Sequence, residues 1–443
     1  MDYYDLLLAK QLGGGGGGSS VDVEALSVTA NGTYTAPTGK AYSPVSVDVQ
    51  PPQEPEIKDV NFYDYDGTLL YSFTKTEWSS QTALPSNPSH SGLTAQGWNW
   101  TKNEIDSQLT NVPDCPVFVG QHYISASGDT EITIELIAPR LSPYLSLAVN
   151  GTVEIDWGDG STKTTLTKTS VANPTNTVHN YSSEGTYVIK VHRVSGSYYL
   201  SGTNGSNAKY PVLNSNNATL NYNYIYSSAI KDVKIGDLGS GGGIGVHTFA
   251  GVELKSVPIP NNFDSTYSGY GFDTSKFEFV VLPKGFTGLV NNTSVALPDE
   301  LHTICFPPTT TSMYLQSKSY LRNVTAIYGS VIASNGFRDC AELRVGYTPP
   351  NLTSILDGTF RACYSLTKIT IPSGVTSIGA LAFADCRGLG EMHLKSTTPP
   401  TVSNDNALST IPADCVIYVP TASLSDYQTA SIWSNYASRM VGE

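Results

Sequence analysis

The segments FRDC (Phe337–Cys340), FRAC (Phe360–Cys363) and FADC (Phe383–Cys386) recur at a spacing of 23 residues. Ile332, Ile355 and Ile378 keep the same register, as do Leu343, Leu366 and Leu389. A fixed period of this length, running from about residue 331 to 395, describes stacked coils, because one such unit cannot bury its own apolar face. Equivalent residues in paired strands lie roughly 5 Å apart, so Cys340, Cys363 and Cys386 should form an interior column. Neighbours at that separation are within disulfide reach, but three thiols cannot all pair. Zinc would need C-x-x-C pairs or nearby histidines, and neither stands beside these cysteines. Free cysteine behaves as a small buried hydrophobe. The phenylalanines and cysteines are therefore expected in the core.

The stretch LTKITIPSGVTSIGALAFADCRGL (Leu366–Leu389) closely resembles the BspA-type leucine-rich repeat, found in surface proteins of bacteria, protists and phages. FAGVELKSVPIP (Phe249–Pro260) looks like an eroded earlier coil, so the solenoid that the resemblance implies begins near residue 228. CVIYVPTASLSDYQTASIWSNYAS (Cys415–Ser438) is similar to the terminal cap of that family, with Trp433 closing the last coil. Residues 195–415 are thus expected to be a β-rich region leading into the solenoid, and 416–443 its cap.

Upstream the chain reads as a series of modules. Residues 1–12 form a short amphipathic helix in which Tyr3, Tyr4, Leu6, Leu7, Leu8 and Leu12 are candidates for anchoring. Such a helix is too short to persist alone in water, so it needs a partner surface. Residues 13–20, six glycines and two serines, are a flexible tether. Residues 21–56 alternate as a small β module, with a hairpin signal at Asn31-Gly32, and end in the stiff spacer PPQEPE.

Residues 57–143 form a further β module. Its segment Asp64-Tyr65-Asp66-Gly67-Thr68 matches the nucleophile motif of haloacid-dehalogenase-type phosphatases, a resemblance that would make Asp64 the nucleophile and Asp66 the acid/base. That chemistry also needs a lysine, a later acidic pair for Mg²⁺ and a parallel sheet alternating with helices, and the sequence supplies no sign of them. The competing reading is a hairpin, with Phe62 and Leu70 in strands and Asp66-Gly67 at the turn. Trp98 and Trp100 are expected in packing, ahead of a helix over Thr101–Leu109.

Residues 144–194 contain VEIDWGDGSTKT and HNYSSEGTYVIKV. These resemble the polycystic-kidney-disease-type (PKD) β-sandwich through Trp157, Gly158, Asp159, Gly160, His179, Tyr181, Gly185 and Tyr187. The resemblance implies a spacer, or a module facing carbohydrate or protein. Asp156 and Asp159 could hold Ca²⁺, but EF-hand spacing is absent and turn stabilisation is the better reading. Farther on, Tyr222, Tyr224, Tyr226, Tyr267 and Tyr270 lie among Ser, Gly and Asn, a composition suited to recognition surfaces, and are the candidates for receptor binding. The glycine run Gly239–Gly245 lacks G-x-G-x-x-G spacing and a following helix, so no dinucleotide site is expected.

With 25 Lys plus Arg against 38 Asp plus Glu, the net charge of -13 argues against a nucleic-acid partner. No apolar run is long enough to span a bilayer. The acidic start and the short apolar run Leu6–Ala9 do not make a secretory signal, so synthesis in a cytoplasm and reduced cysteines are expected. There is no G-x-S-x-G, no H-E-x-x-H and no metal-ligand spacing among the seven histidines. The expected fold is mainly β: a short N-terminal helix, small β modules, a PKD-like β-sandwich and a C-terminal leucine-rich-repeat solenoid. The order of the start YDLLLAK-LGGGGGG, the ANGTYTAP module and the DYDGTLLYS…QGWNW module resembles virion proteins of phages and prophages of gut Gram-positive bacteria. That resemblance implies a non-enzymatic fibre without cofactors, located in the virion. Its partners would be other virion proteins through the N-terminus and a host-surface protein or glycan, in a homo-oligomer with a trimer favoured. A bacterial cell-surface adhesin and the phosphatase are the alternatives.

Overall fold

The computed structural model describes residues 57–113, 115–171, 175–200, 213–214 (backbone only), 229–244, 248–249, 251–261, 275–286 and 297–443. The anchoring helix with its tyrosines and leucines, the tether, the 21–56 module and all five candidate receptor tyrosines lie outside the described residues. The chain divides into two compact units between Glu56 and Ile57, and the described fold belongs to the second, residues 57–443.

The DYDGT segment makes a hairpin. Strand β1 (Val60–Tyr63) buries all four side chains and pairs antiparallel with β2 (Leu69–Phe73). Asp66 Oδ1 accepts from the Thr68 N–H at 2.9 Å, and Gly67 takes φ +88° at the bend, where a side chain would be strained. Two short helices follow from capping boxes: Thr74 with Glu77 opens α1 (Lys75–Ser79), and Thr101 with Glu104 opens α2 (Lys102–Asn111). The second is the helix expected from the sequence. With β3 (Leu93–Trp98) and β4 (Val117–Ser125), the strands form a sheet in the order β2-β1-β4-β3, with β1 and β4 parallel.

The second sheet contains β5 (Thr130–Leu136), β6 (Tyr144–Asp156), β7 (Thr164–Thr169), β8 (Thr175–Val178), β9 (Gly185–Leu200), β10 (Leu213–Asn214), β11 (Ile230–Lys234) and β12 (Gly243–Ile244). Its order is β10-β6-β9-β5-β11, with β7 and β8 added on β6 and β12 on β9. The sheet runs across the boundaries expected at 143/144 and 194/195. β5 lies before residue 144 yet pairs with β9 over its whole length, and β9 runs on to Leu200. The first sheet ends at Ser125, followed by a turn in which Gly128 takes φ +82°.

The C-terminal part is built from parallel ladders. Strands Val345–Gly346, Lys368–Ile371, Glu391–Leu394, Val416–Val419 and Met440–Gly442 form one sheet, and Ser354–Ile355, Ser377–Ile378 and Thr401–Val402 another. The pairs Val345↔Lys368, Lys368↔Glu391 and Ser354↔Ser377 are each 23 residues apart, so the period of the sequence is the register of the ladder. Phe337, Phe360 and Phe383 are buried and stack with ring centroids 5.4 and 5.6 Å apart. The thiols of Cys340, Cys363 and Cys386 donate to the main-chain oxygens of Leu315, Phe337 and Phe360, each at 3.1 Å. All six cysteines are buried, and burial pushes the Cys340 and Cys386 thiols up to about 12. They are core, as the spacing predicts.

The first sheet packs against the turns that precede these ladders. Asn99 Nδ2 donates to Cys305 O at 3.2 Å, Trp100 Nε1 to Phe306 O at 2.8 Å, and Gln108 Nε2 to Ala326 O at 2.6 Å. Gly120 makes the approach possible, because a Cβ there would meet the Val281 methyls at 2.5 Å. Trp98 and Trp100 are both buried, and one hydrophobic core runs from Val60 to Met440. Trp100→Phe keeps most of the ring and removes the donor to Phe306 O. We expect it to destabilise the full chain by about 1–3 kcal/mol, the cost of a buried group losing its partner, read as a lower denaturant midpoint. An unchanged midpoint would show that this hydrogen bond does not hold the sheet in place.

Candidate functional site

Alternation in the longest ladder decides which side chains face outward. Ile369, Ile371, Met392, Leu394, Ile417 and Val419 point inward with no exposure. Lys368, Thr370, Glu391, His393, Val416 and Tyr418 take the opposite face. Because the strands are in register, these outward residues become neighbours across the ladder. The Lys368 ammonium lies 3.2 Å from Glu391, and the His393 ring stacks on Tyr418 at 4.5 Å.

A charge network closes one side of this face. Glu443 accepts from Lys395 Nζ at 2.6 Å and faces His393 Nδ1 at 2.9 Å, while His393 Nε2 lies 3.3 Å from Glu391. A neutral imidazole has one N–H and serves one carboxylate at a time; the imidazolium serves both. Hydrogen bonding to His393, then to Lys368, holds the Glu391 carboxyl below its usual range. Burial alone would raise Glu443, but donation by Lys395 and His393 outweighs it and leaves that carboxyl lowered too.

Between this face and the connection from α2 to β4 lies a cleft of about 640 Å³. The outward residues Lys368, Thr370, His393 and Lys395 form its floor, and Glu443, Tyr347 and Pro113 also line it. None of these residues is marked by a sequence motif. The signal available was the outward member of each repeat, Val345, Lys368 and Glu391 at 23-residue steps, whose changing chemistry hides it beside the constant core columns.

Asp64 directly follows β1. Its Oδ1 accepts from the Tyr65 N–H at 2.8 Å and the Tyr123 hydroxyl at 2.9 Å, and its Oδ2 lies 2.7 Å from His90 Nε2. Burial, and then the bond to Asp64, push the Tyr123 phenol up. The two aspartates of the phosphatase-like motif thus serve the hairpin and its contact with β4.

In the second sheet the motif residues meet as a turn. Asp156 Oδ1 accepts from the Gly158 N–H at 3.0 Å, and Asp159 Oδ1 from the Ser161 N–H at 3.0 Å. Asp159 Oδ2 lies 2.7 Å from His179 Nε2, whose ring stacks on Trp157 at 4.7 Å. Tyr181 donates to Trp157 O at 2.8 Å. Although burial opposes it, donation from Ser161 and His179 lowers the Asp159 carboxyl to about 2. Both aspartates are committed to the turn. Among the described residues no group of three or more His, Cys, Asp or Glu is placed to hold a metal ion, and no helix is long and apolar enough to cross a membrane.

The family model of the BspA type leucine-rich repeat region matches residues 218–330 and 314–410, with six copies. The match takes in the ladders around the phenylalanine column and most of the face described above. No curated protein matches the chain.

Proposed function

We propose that the chain is a non-enzymatic bacteriophage virion protein that attaches through residues 1–12 and recognises a host-cell protein or glycan through its leucine-rich repeats. The observation that carries the recognition half is the outward face of the longest ladder, where polar and aromatic side chains from successive repeats form one continuous surface above a rigid core. Repeat stacks supply extended surfaces of this kind. The attachment half rests on the resemblance of the N-terminal modules to phage virion proteins and on the leucines of residues 1–12, which need a partner to bury them.

In this reading the repeats form a solenoid ending in a cap, and the sheet around Trp157 is a PKD-like spacer. The protein works without a cofactor, as a homo-oligomer with a trimer favoured. The glycines of residues 13–18 absorb differences of angle or symmetry between fibre and particle. The proposal is tested by complementing a phage that lacks the protein with the full chain or with a deletion of residues 1–12. We expect the deletion variant to fold, to stay soluble and to be missing from purified particles. Equal incorporation of both forms would remove the anchor. A second reading, a bacterial cell-surface adhesin, uses the same repeats and the same face. It predicts the protein in washed cell envelopes and in no particle.

A further inference from the structure

We infer that the cleft between the α2–β4 connection and the outward face of the repeats takes a short, neutral oligosaccharide. This deepens the recognition reading above and rests on it. The first argument concerns the floor. Lys368 and His393 have ladder partners on both sides, and Thr370 pairs with His393 on one side while its carbonyl accepts from the Thr348 hydroxyl at 2.6 Å. Their main-chain groups are spent within the sheet, so an extended peptide finds no free edge to pair with. A ligand here must be recognised by side chains.

Those side chains suit hydroxyl groups. The ammonium groups of Lys368 and Lys395 are each about half exposed, and each has more N–H donors than its carboxylate partner uses. The Glu443 carboxylate keeps lone pairs beyond those facing Lys395 and His393. Thr370 adds a hydroxyl that both gives and accepts. Hydrogen bonds to such ionised groups are stronger than neutral ones. The charges are already paired, Lys368 against Glu391 and Lys395 against Glu443. A strongly ionic ligand would have to displace a partner, whereas a polyol only adds bonds. Tyr347 and Pro113 supply apolar wall against which the C–H face of a sugar ring can lie. The volume, about 640 Å³, is in the range of sites that enclose small ligands.

The test titrates the full chain, by calorimetry and saturation-transfer NMR, with neutral trisaccharides of glucose, galactose, mannose, rhamnose or N-acetylglucosamine. An acidic trisaccharide and a hexapeptide library are the comparison arms. We expect saturable binding of at least one neutral trisaccharide. Thr370→Trp, which fills the floor from an outward position, should weaken it by about tenfold or more without lowering the thermal midpoint, and Glu443→Gln should weaken it by a similar factor. No binding of any neutral trisaccharide, binding of only the acidic sugar or the peptides, or affinity indifferent to Thr370→Trp would overturn the inference. Adsorption of the purified chain to host cells separates the two readings. Equal adsorption by wild type and Thr370→Trp removes the cleft and leaves recognition to the rest of the face, whereas no adsorption by wild type removes recognition itself.

Discussion

Replacing Phe360 with alanine is expected to cost about 3–5 kcal/mol, the range for emptying a buried aromatic site. Its ring has no exposure and lies between Phe337 and Phe383 with interplanar angles of 5° and 6°. The backbone around it is fixed on both sides: Phe337 N–H donates to Thr359 O, and Phe360 N–H to Ala382 O, each at 2.8 Å. The turns therefore cannot close over the space, and the cavity term adds to the lost burial. In a stack where each repeat touches its neighbours, one missing ring weakens two interfaces. Cys363→Ser is the matched control. It keeps a donor for Phe337 O and removes little volume, so its cost should be clearly smaller. Urea unfolding of the two variants and wild type, followed by tryptophan fluorescence and far-UV circular dichroism, measures both. Equal costs, or a loss below about 1 kcal/mol for Phe360→Ala, would mean that the column does not carry the stack.

The parts of this fold that were legible from sequence are those with local or periodic causes. Gly67 at an Asp-Gly bend, Thr101 with Glu104 at a helix start, and the Phe, Cys, Ile and Leu columns all announce themselves within a few residues or at a fixed step. The Gly128-Asp129 turn and the alternation of Ile132, Ile134 and Leu136 were also readable, but the pairing of β5 with β9 was not, because strand partners are chosen by long-range packing. The docking of the first sheet shows the same limit. Trp100 reads as a residue to be buried, yet its partner carbonyl is 206 positions away. The cleft was least legible of all. It needs both the outward face of the repeats and Asn111, Val112, Pro113 and Cys115 brought over it, and neither half has a motif of its own.

Acidifying the full chain from pH 7 to about 4.5 should destabilise it through His122 before most carboxylates respond. His122 lies on β4, where the first sheet meets the repeat turns, and its Nδ1 is 2.8 Å from Ile259 O. Burial lowers its pKa to about 4; the carbonyls of Ile259 and, more weakly, Leu282 favour the charged form, while Lys284 disfavours it. Above the ordinary histidine value of roughly 6.5, the ring is neutral in both the folded and the unfolded chain and contributes no slope. Between there and about 4, the unfolded chain binds the proton and the folded chain does not. Stability must then fall as pH falls, by about 1.4 kcal/mol per pH unit and by about 3 kcal/mol in all. The lowered carboxyls Glu77, Asp159, Asp237, Asp385, Glu391 and Glu443 act in the same direction, but in the lower window where unfolded carboxylates titrate, near 4. The measurement is therefore a comparison: urea unfolding of wild type and His122→Leu at pH 7, 6, 5.5 and 5. Wild type should lose about 2 kcal/mol more than the variant between pH 7 and 5. Parallel slopes for the two proteins would show that His122 is not the group that acid reaches first.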